Sequence, residues 1–117
     1  MKQKTFARAE VERMAPLLQS MTLEIQERTR EVASLERRLA RLEGRRSPEA
    51  LAEYGQLRSE LSTQGRELRL VRKEVERLGL AVSDSRPPRI VVPGDEGDWI
   101  YGSLDDTNFF RLEESRA

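Results

Sequence analysis

From Val11 to Leu42 the apolar residues fall at 11, 14, 18, 21, 25, 32, 35, 39 and 42, in alternating steps of three and four, with Arg28 in the one slot that breaks the series. Such spacing holds one apolar stripe on one face and predicts a long, coiled-coil-like helix. Gly44-Arg45-Arg46-Ser47-Pro48-Glu49 then supplies a helix stop, a Ser N-cap, Pro at the first helical position and an acid in the first turn. A second stripe runs through Tyr54, Leu57, Leu61, Gln64, Leu68, Val71, Val75, Leu78 and Val82, again with one polar interruption. The connection near 44–48 is so short that the two helices must fold back antiparallel, each roughly 50 Å long at ~1.5 Å per residue. Residues 1–82 are therefore expected to form an antiparallel helical hairpin.

The stripes also fix a register. With Leu42 beside Leu51, Leu39 faces Tyr54, Val32 faces Leu61, Ile25 faces Leu68 and Leu18 faces Val75. Arg28 then meets Gln64 and Gly65, so two independent interruptions fall in one layer, and Gly65 is expected to leave room for the guanidinium stem. Such a layer sets register at some cost in stability. Pro16 removes a backbone hydrogen bond to residue 12, so residues 5–16 are expected to bend away as a separate helical turn.

After Gly79 the pattern changes. Residues 83–89, with Ser83-Asp84-Ser85-Arg86-Pro87-Pro88, read as a stiff linker in which two prolines forbid helix. Ile90-Val91-Val92, Trp99-Ile100-Tyr101 and Phe109-Phe110-Arg111-Leu112 are strand-like, with turn residues between them, so 90–117 reads as a three-stranded antiparallel β-meander. The fold class is thus mainly α, a helical hairpin followed by a small meander. So few residues bury no core alone, and the meander must cover the hairpin base or a second subunit.

Composition narrows the chemistry. Of 117 residues 36% are charged and 5% aromatic, with 21 basic and 21 acidic side chains and neither His nor Cys. Balanced charge gives no whole-molecule steering toward nucleic acid or membrane. Without His or Cys the usual proton shuttle, thiol nucleophile, disulfides and common zinc or iron ligand sets are gone, leaving only carboxylates. Glu10, Glu12 and Glu24 interrupt the first 25 residues, so no signal sequence is read there, and no run approaches the ~18 apolar residues of a membrane span. The expectation is a cytoplasmic protein with no membrane contact.

Three candidate chemistries remain. Asp95, Glu96, Asp98, Asp105 and Asp106 are oxygen donors suited to Mg²⁺ or Ca²⁺, but the two groups lie at opposite ends of a strand, ~18 Å apart, and match no Asp-x-Asp-x-Asp-Gly loop. Gly102-Ser103-Leu104 lacks the second glycine of a nucleophile elbow and any His to act as base. No catalytic, metal or cofactor site is expected, and the chain reads as a non-enzyme. The third is charge: Arg37, Arg38, Arg41, Arg45 and Arg46, with only Glu43 among them, make the hairpin tip basic, while residues 81–117 hold 4 basic and 8 acidic side chains. A basic tip is a candidate anion- or partner-binding site, although solvated arginines on an exposed face are the plainer account, and it has no aromatic except Tyr54 on which to stack a base.

The flanks of the hairpin point to self-association. The register puts Glu24 beside Glu67 and Glu31 beside Glu60 on one flank, like charges that an isolated hairpin would not choose. Ala15 with Gly79, Thr22 with Arg72, and Thr29 with Gly65 make the other flank small enough for another helix or the meander to approach. A homodimer is expected, with Ala15, Thr22, Thr29, Gly79 and either Trp99 or Phe110 at its interface.

Lys4-Thr5-Phe6, Glu10 and Pro16-Leu17-Leu18, then Leu78-Gly79, Ile90-Val91-Val92-Pro93 and Gly97 before the Trp99 strand, resemble the bacterial family named domain of unknown function 2203. The resemblance covers most of the chain and implies a long helical hairpin with a small sheet. Members carry a Trp-His pair near the last strand and a Cys-Trp in the middle strand, where this chain has Phe109-Phe110 and Gly102-Ser103, so no role of that His or Cys carries over. The family has no assigned activity. The function expected is a non-enzymatic assembly or adaptor protein that self-associates and binds a protein partner; the rival is a nucleic-acid-binding arm that uses the basic tip.

Overall fold

A computed structural model describes residues 5–95, 97–103 and 110–114, and of 102, 103 and 110–114 the backbone only. The elements are α1 (Arg8–Arg13), α2 (Ala15–Leu42), α3 (Pro48–Arg77), β1 (Ala81–Val82), β2 (Ile90–Val92), β3 (Trp99–Ser103) and β4 (Phe110–Glu114). Two compact units result: Met1–Gln26 with Val71–Ala117, the sheet unit, and Glu27–Leu70, the tip unit.

The helix boundaries follow local chemistry. Glu10 accepts the Ala7 N–H at the start of α1 (3.1 Å), and α1 ends at Arg13 with Met14 as its C-cap, two residues before Pro16. Pro16 is the second residue of α2, where a missing N–H costs nothing, so the expected break separates α1 from α2. At the tip Gly44 adopts φ 81°, a backbone conformation that side chains disfavour, and the Arg45 N–H donates to the Leu42 carbonyl. Ser47 then caps α3 by accepting the Ala50 N–H at 3.2 Å.

The second helix is shorter than its stripe. It ends at Arg77: Gly79 turns at φ 84° while its N–H donates to the Glu76 carbonyl, and the Leu80 N–H reaches back to the Val75 carbonyl. This Schellman closure buries Leu80 beside Val75, and Val82, expected on the helix, lies in β1.

The tip unit is two long helices packed on each other. Leu35, Leu39 and Leu42 of α2 share one buried cluster with Ala50 and Leu57 of α3, with Leu61 packed against it. Here the register needs one correction: Leu51 is 58% exposed and Tyr54 38%, and Ala50 takes the seam position beside the turn.

The sheet unit carries an antiparallel sheet in the order β1-β2-β3-β4. Strands β2 to β4 are the expected three-stranded meander, and β1 adds two residues at its edge by pairing Ala81 with Val91 and Val82 with Ile90. Ile90, Val92 and Tyr101 are buried, as are Leu18, Met21 and Ile25 of α2 and Val71 and Val75 of α3, and the bonds of Tyr101 to the Ala15 carbonyl and of Gln26 to the Pro88 carbonyl set the sheet and its first connection against the base of α2. Residues 83–89, expected as a stiff linker, join β1 to β2. The connection is closed: Ser83 donates its N–H to the Arg89 carbonyl at 2.7 Å, and its hydroxyl accepts the Arg89 N–H at 2.9 Å. The N-terminal segment also belongs here, because Phe6 is buried and its N–H donates to the Pro93 carbonyl at 2.9 Å.

Candidate functional site

The polar layer is present. Arg28 donates through Nη1 to Gln64 Oε1 at 3.0 Å, both side chains half-buried in the seam of the tip unit. Gly65 plays no part in making room for it: a Cβ placed there would meet only Arg69 Nη1, at an ordinary 3.6 Å. A guanidinium–amide bond on a two-helix seam holds the two helices in register.

The five tip arginines, Arg37, Arg38, Arg41, Arg45 and Arg46, are all exposed and make no ion pair among the described residues. They are not equivalent. Arg37, Arg38 and Arg41 ride the last turns of α2, where positive charge interacts favourably with the helix dipole. Arg45 and Arg46 stand before the Ser47 cap of α3, an end that favours negative charge and carries Glu49. The side chains of these two make no ion pair among the described residues.

The acids of the last third do not converge. Asp95 accepts a hydrogen bond from the Thr5 hydroxyl, Asp98 is exposed, and Glu96, Asp105 and Asp106 lie outside the described residues, as does Phe109. Among the described residues no three acidic groups are placed to hold one metal ion. Ser103 is placed in β3 by its backbone.

The expected dimer flank divides. Thr22 is fully buried inside its own chain, its hydroxyl donating to the Leu18 carbonyl at 2.6 Å, so it faces no partner. Ala15 offers its carbonyl to the Tyr101 hydroxyl at 3.3 Å, and Gly79 serves the end of α3. The Trp99 ring lies over the turn at Gly94, where a Cβ would come within 2.9 Å of it. Ala15 is thus engaged by Tyr101 of the chain's own sheet, one of the two ways that flank was expected to be covered. Thr29 stays half-buried in the tip unit, and Phe110 is placed in β4 by backbone alone. On the opposite flank Glu31 and Glu60 line one shallow hollow with Ser59, Thr63 and Gln64, the like-charge neighbours that the register places together.

Two features have no counterpart in the sequence pattern. Gln26, buried on α2, donates to the Pro88 carbonyl at 3.0 Å and so ties the β1–β2 connection to the helix. Tyr101 is buried beneath the sheet, and that burial raises its phenol pKa above the usual 10.0. Among the described residues no helix is long and apolar enough to cross a membrane. Compared with protein-family models, curated proteins and solved structures, the chain matches none.

Proposed function

We propose that this chain is a non-enzymatic assembly or adaptor protein of the bacterial cytoplasm, akin to domain of unknown function 2203, which self-associates and presents its hairpin to a protein partner. The observation that carries the reading is the exposure of Leu51, Tyr54 and Leu70 along α3, 58%, 38% and 53%, in a helix whose seam is already filled. Apolar side chains of that size in solvent support contact with another polypeptide more than chemistry on a small molecule. Sedimentation equilibrium of the full chain at micromolar concentration tests it. A species heavier than 13.5 kDa that persists at high salt is expected, and a stable monomer of that mass refutes self-association.

One observation favours a second reading. Arg45 and Arg46 gain nothing from the helix end they precede, and with Arg37, Arg38 and Arg41 they would suit phosphate oxygens. Replacing Arg38, Arg41, Arg45 and Arg46 with Gln is expected to leave fold and oligomer unchanged and to remove whatever weak, salt-sensitive nucleic-acid binding the parent has. Tight RNA binding by the parent at physiological salt, lost in this variant, would make the nucleic-acid arm the first reading.

A further inference from the structure

We infer that one flank of the tip unit is the face on which a second copy of this chain docks, related by a two-fold axis running along the hairpin; the inference rests on the self-association proposed above. At 3.6 residues per turn, Leu51, Tyr54, Gly55, Arg58, Ser62 and Gly65 of α3 fall within an arc of about 100° beside the seam. Thr29, Glu36 and Ala40 of α2 lie on the same side, given the register that joins Arg28 to Gln64.

Three observations distinguish this flank. Leu51 and Tyr54 stand 58% and 38% exposed on it, next to a seam whose own residues, Ala50 and Leu57, are buried. A Cβ added to Gly55 would find nothing within 4 Å, although glycine inside a helix is about 1 kcal/mol less favourable than alanine. Nothing in the tip unit uses that space, and a neighbouring helix backbone would fit it. Finally, Glu36 and Arg58 are both exposed and make no ion pair among the described residues.

Charge identifies the occupant. The Arg28–Gln64 register sets Glu36 within about 3 Å of the level of Arg58 across the hairpin, one on each helix, an offset their long side chains span. A two-fold axis parallel to the helices lays α2 of one copy beside α3 of the other at the same level, so each Glu36 meets the Arg58 of the second copy, and each Ala40 the Tyr54 of the second copy. One acid and one base at nearly matched height, with a small residue opposite a ring, is the self-complementarity that an isologous interface requires. The product is a four-helix arrangement in which Leu51 and Tyr54 of α3 gain a partner.

Sedimentation equilibrium on the full chain tests the surface. The parent is expected to dimerise, Glu36→Arg and Arg58→Glu each to raise Kd at least tenfold, and the double exchange to restore it to within about threefold. Leu51→Gln with Tyr54→Gln is expected to give a monomer of unchanged helical content by circular dichroism. A dimer indifferent to all of these, or one weakened by the single exchanges and not rescued by the double, overturns this surface and leaves self-association standing. A monomeric parent overturns both.

Discussion

Two threonines on α2 show how much a single hydroxyl depends on its partner. Thr22 is fully buried and bonds back to the Leu18 carbonyl, whereas the Thr29 hydroxyl oxygen, seven residues on, is buried and bonded to nothing among the described residues. A buried hydroxyl without a partner costs about 1–3 kcal/mol. Thr29→Val is therefore expected to raise stability by roughly 1 kcal/mol, and Thr22→Val to lower or hardly change it, in urea unfolding followed by circular dichroism. A destabilised Thr29→Val would mean that its hydroxyl has a partner after all. Gly94 shows the opposite kind of constraint. A Cβ there would lie 2.5 Å from the Gly97 carbonyl oxygen and 2.9 Å from the Trp99 ring, one a backbone atom and the other a rigid ring, so neither can yield cheaply. Gly94→Ala is expected to cost about 1–3 kcal/mol, as overpacking does, and to move the Trp99 fluorescence. An unchanged melting midpoint and spectrum would contradict that.

At the scale of elements, the helices were legible and the small sheet only in part. A stripe of period 3.6, a Ser-Pro cap and a glycine stop are local signals, and α2, α3 and the turn between them follow from these. The Arg28–Gln64 layer was legible for a further reason, since two interruptions coincide in only one register. Three things were not. Val82 continues the helical spacing, so only Gly79 hinted that the helix ends before β1. Pattern reading also favours the larger side chain, which put Leu51 and Tyr54 on the seam where the backbone angle selects Ala50. Gln26 gave no signal because its partner, the Pro88 carbonyl, lies 62 residues away. The glycine in the polar layer misled for a similar reason: adjacency along the chain suggested a role in space that Gly65 does not have. With only a 3.6 Å contact to accept, Gly65→Ala is expected to stabilise the hairpin by about 0.8–1 kcal/mol through helix propensity. Replacing Arg28 and Gln64 together with Leu is expected to add roughly 1–3 kcal/mol more by removing a half-buried polar pair, while widening the amide spectrum as register loosens. A loss of stability in either variant would show that the layer is better packed than its contacts imply.

At the scale of the whole molecule, the two units are held by different kinds of contact, and pH separates them. The tip unit closes through an apolar seam joined by the hydrogen bond of Arg28 to Gln64. The sheet unit closes through long-range ties: Phe6 to Pro93, Gln26 to Pro88, and the buried Tyr101 hydroxyl to the Ala15 carbonyl. Burial raises the Tyr101 pKa because the interior disfavours phenolate. In the unfolded chain the same phenol titrates near 10.0, so between that value and its folded pKa the unfolded state loses its proton first. Stability from this group is thus fully present below about pH 10 and is lost as pH climbs toward and through the folded pKa. Deprotonation also converts the hydroxyl from a donor to the Ala15 carbonyl into an anion that repels it. Raising pH from 8 through 10 and beyond is therefore expected to loosen the sheet unit first. Amides of β2, β3 and the first turns of α2 should lose protection from hydrogen exchange, corrected for its intrinsic pH dependence, while those near Leu35 and Leu57 keep theirs. Tyr101→Phe should flatten that alkaline response at a modest cost in stability at pH 8, since the bond it removes is a long one at 3.3 Å. An identical alkaline loss in Tyr101→Phe would assign the response to another group.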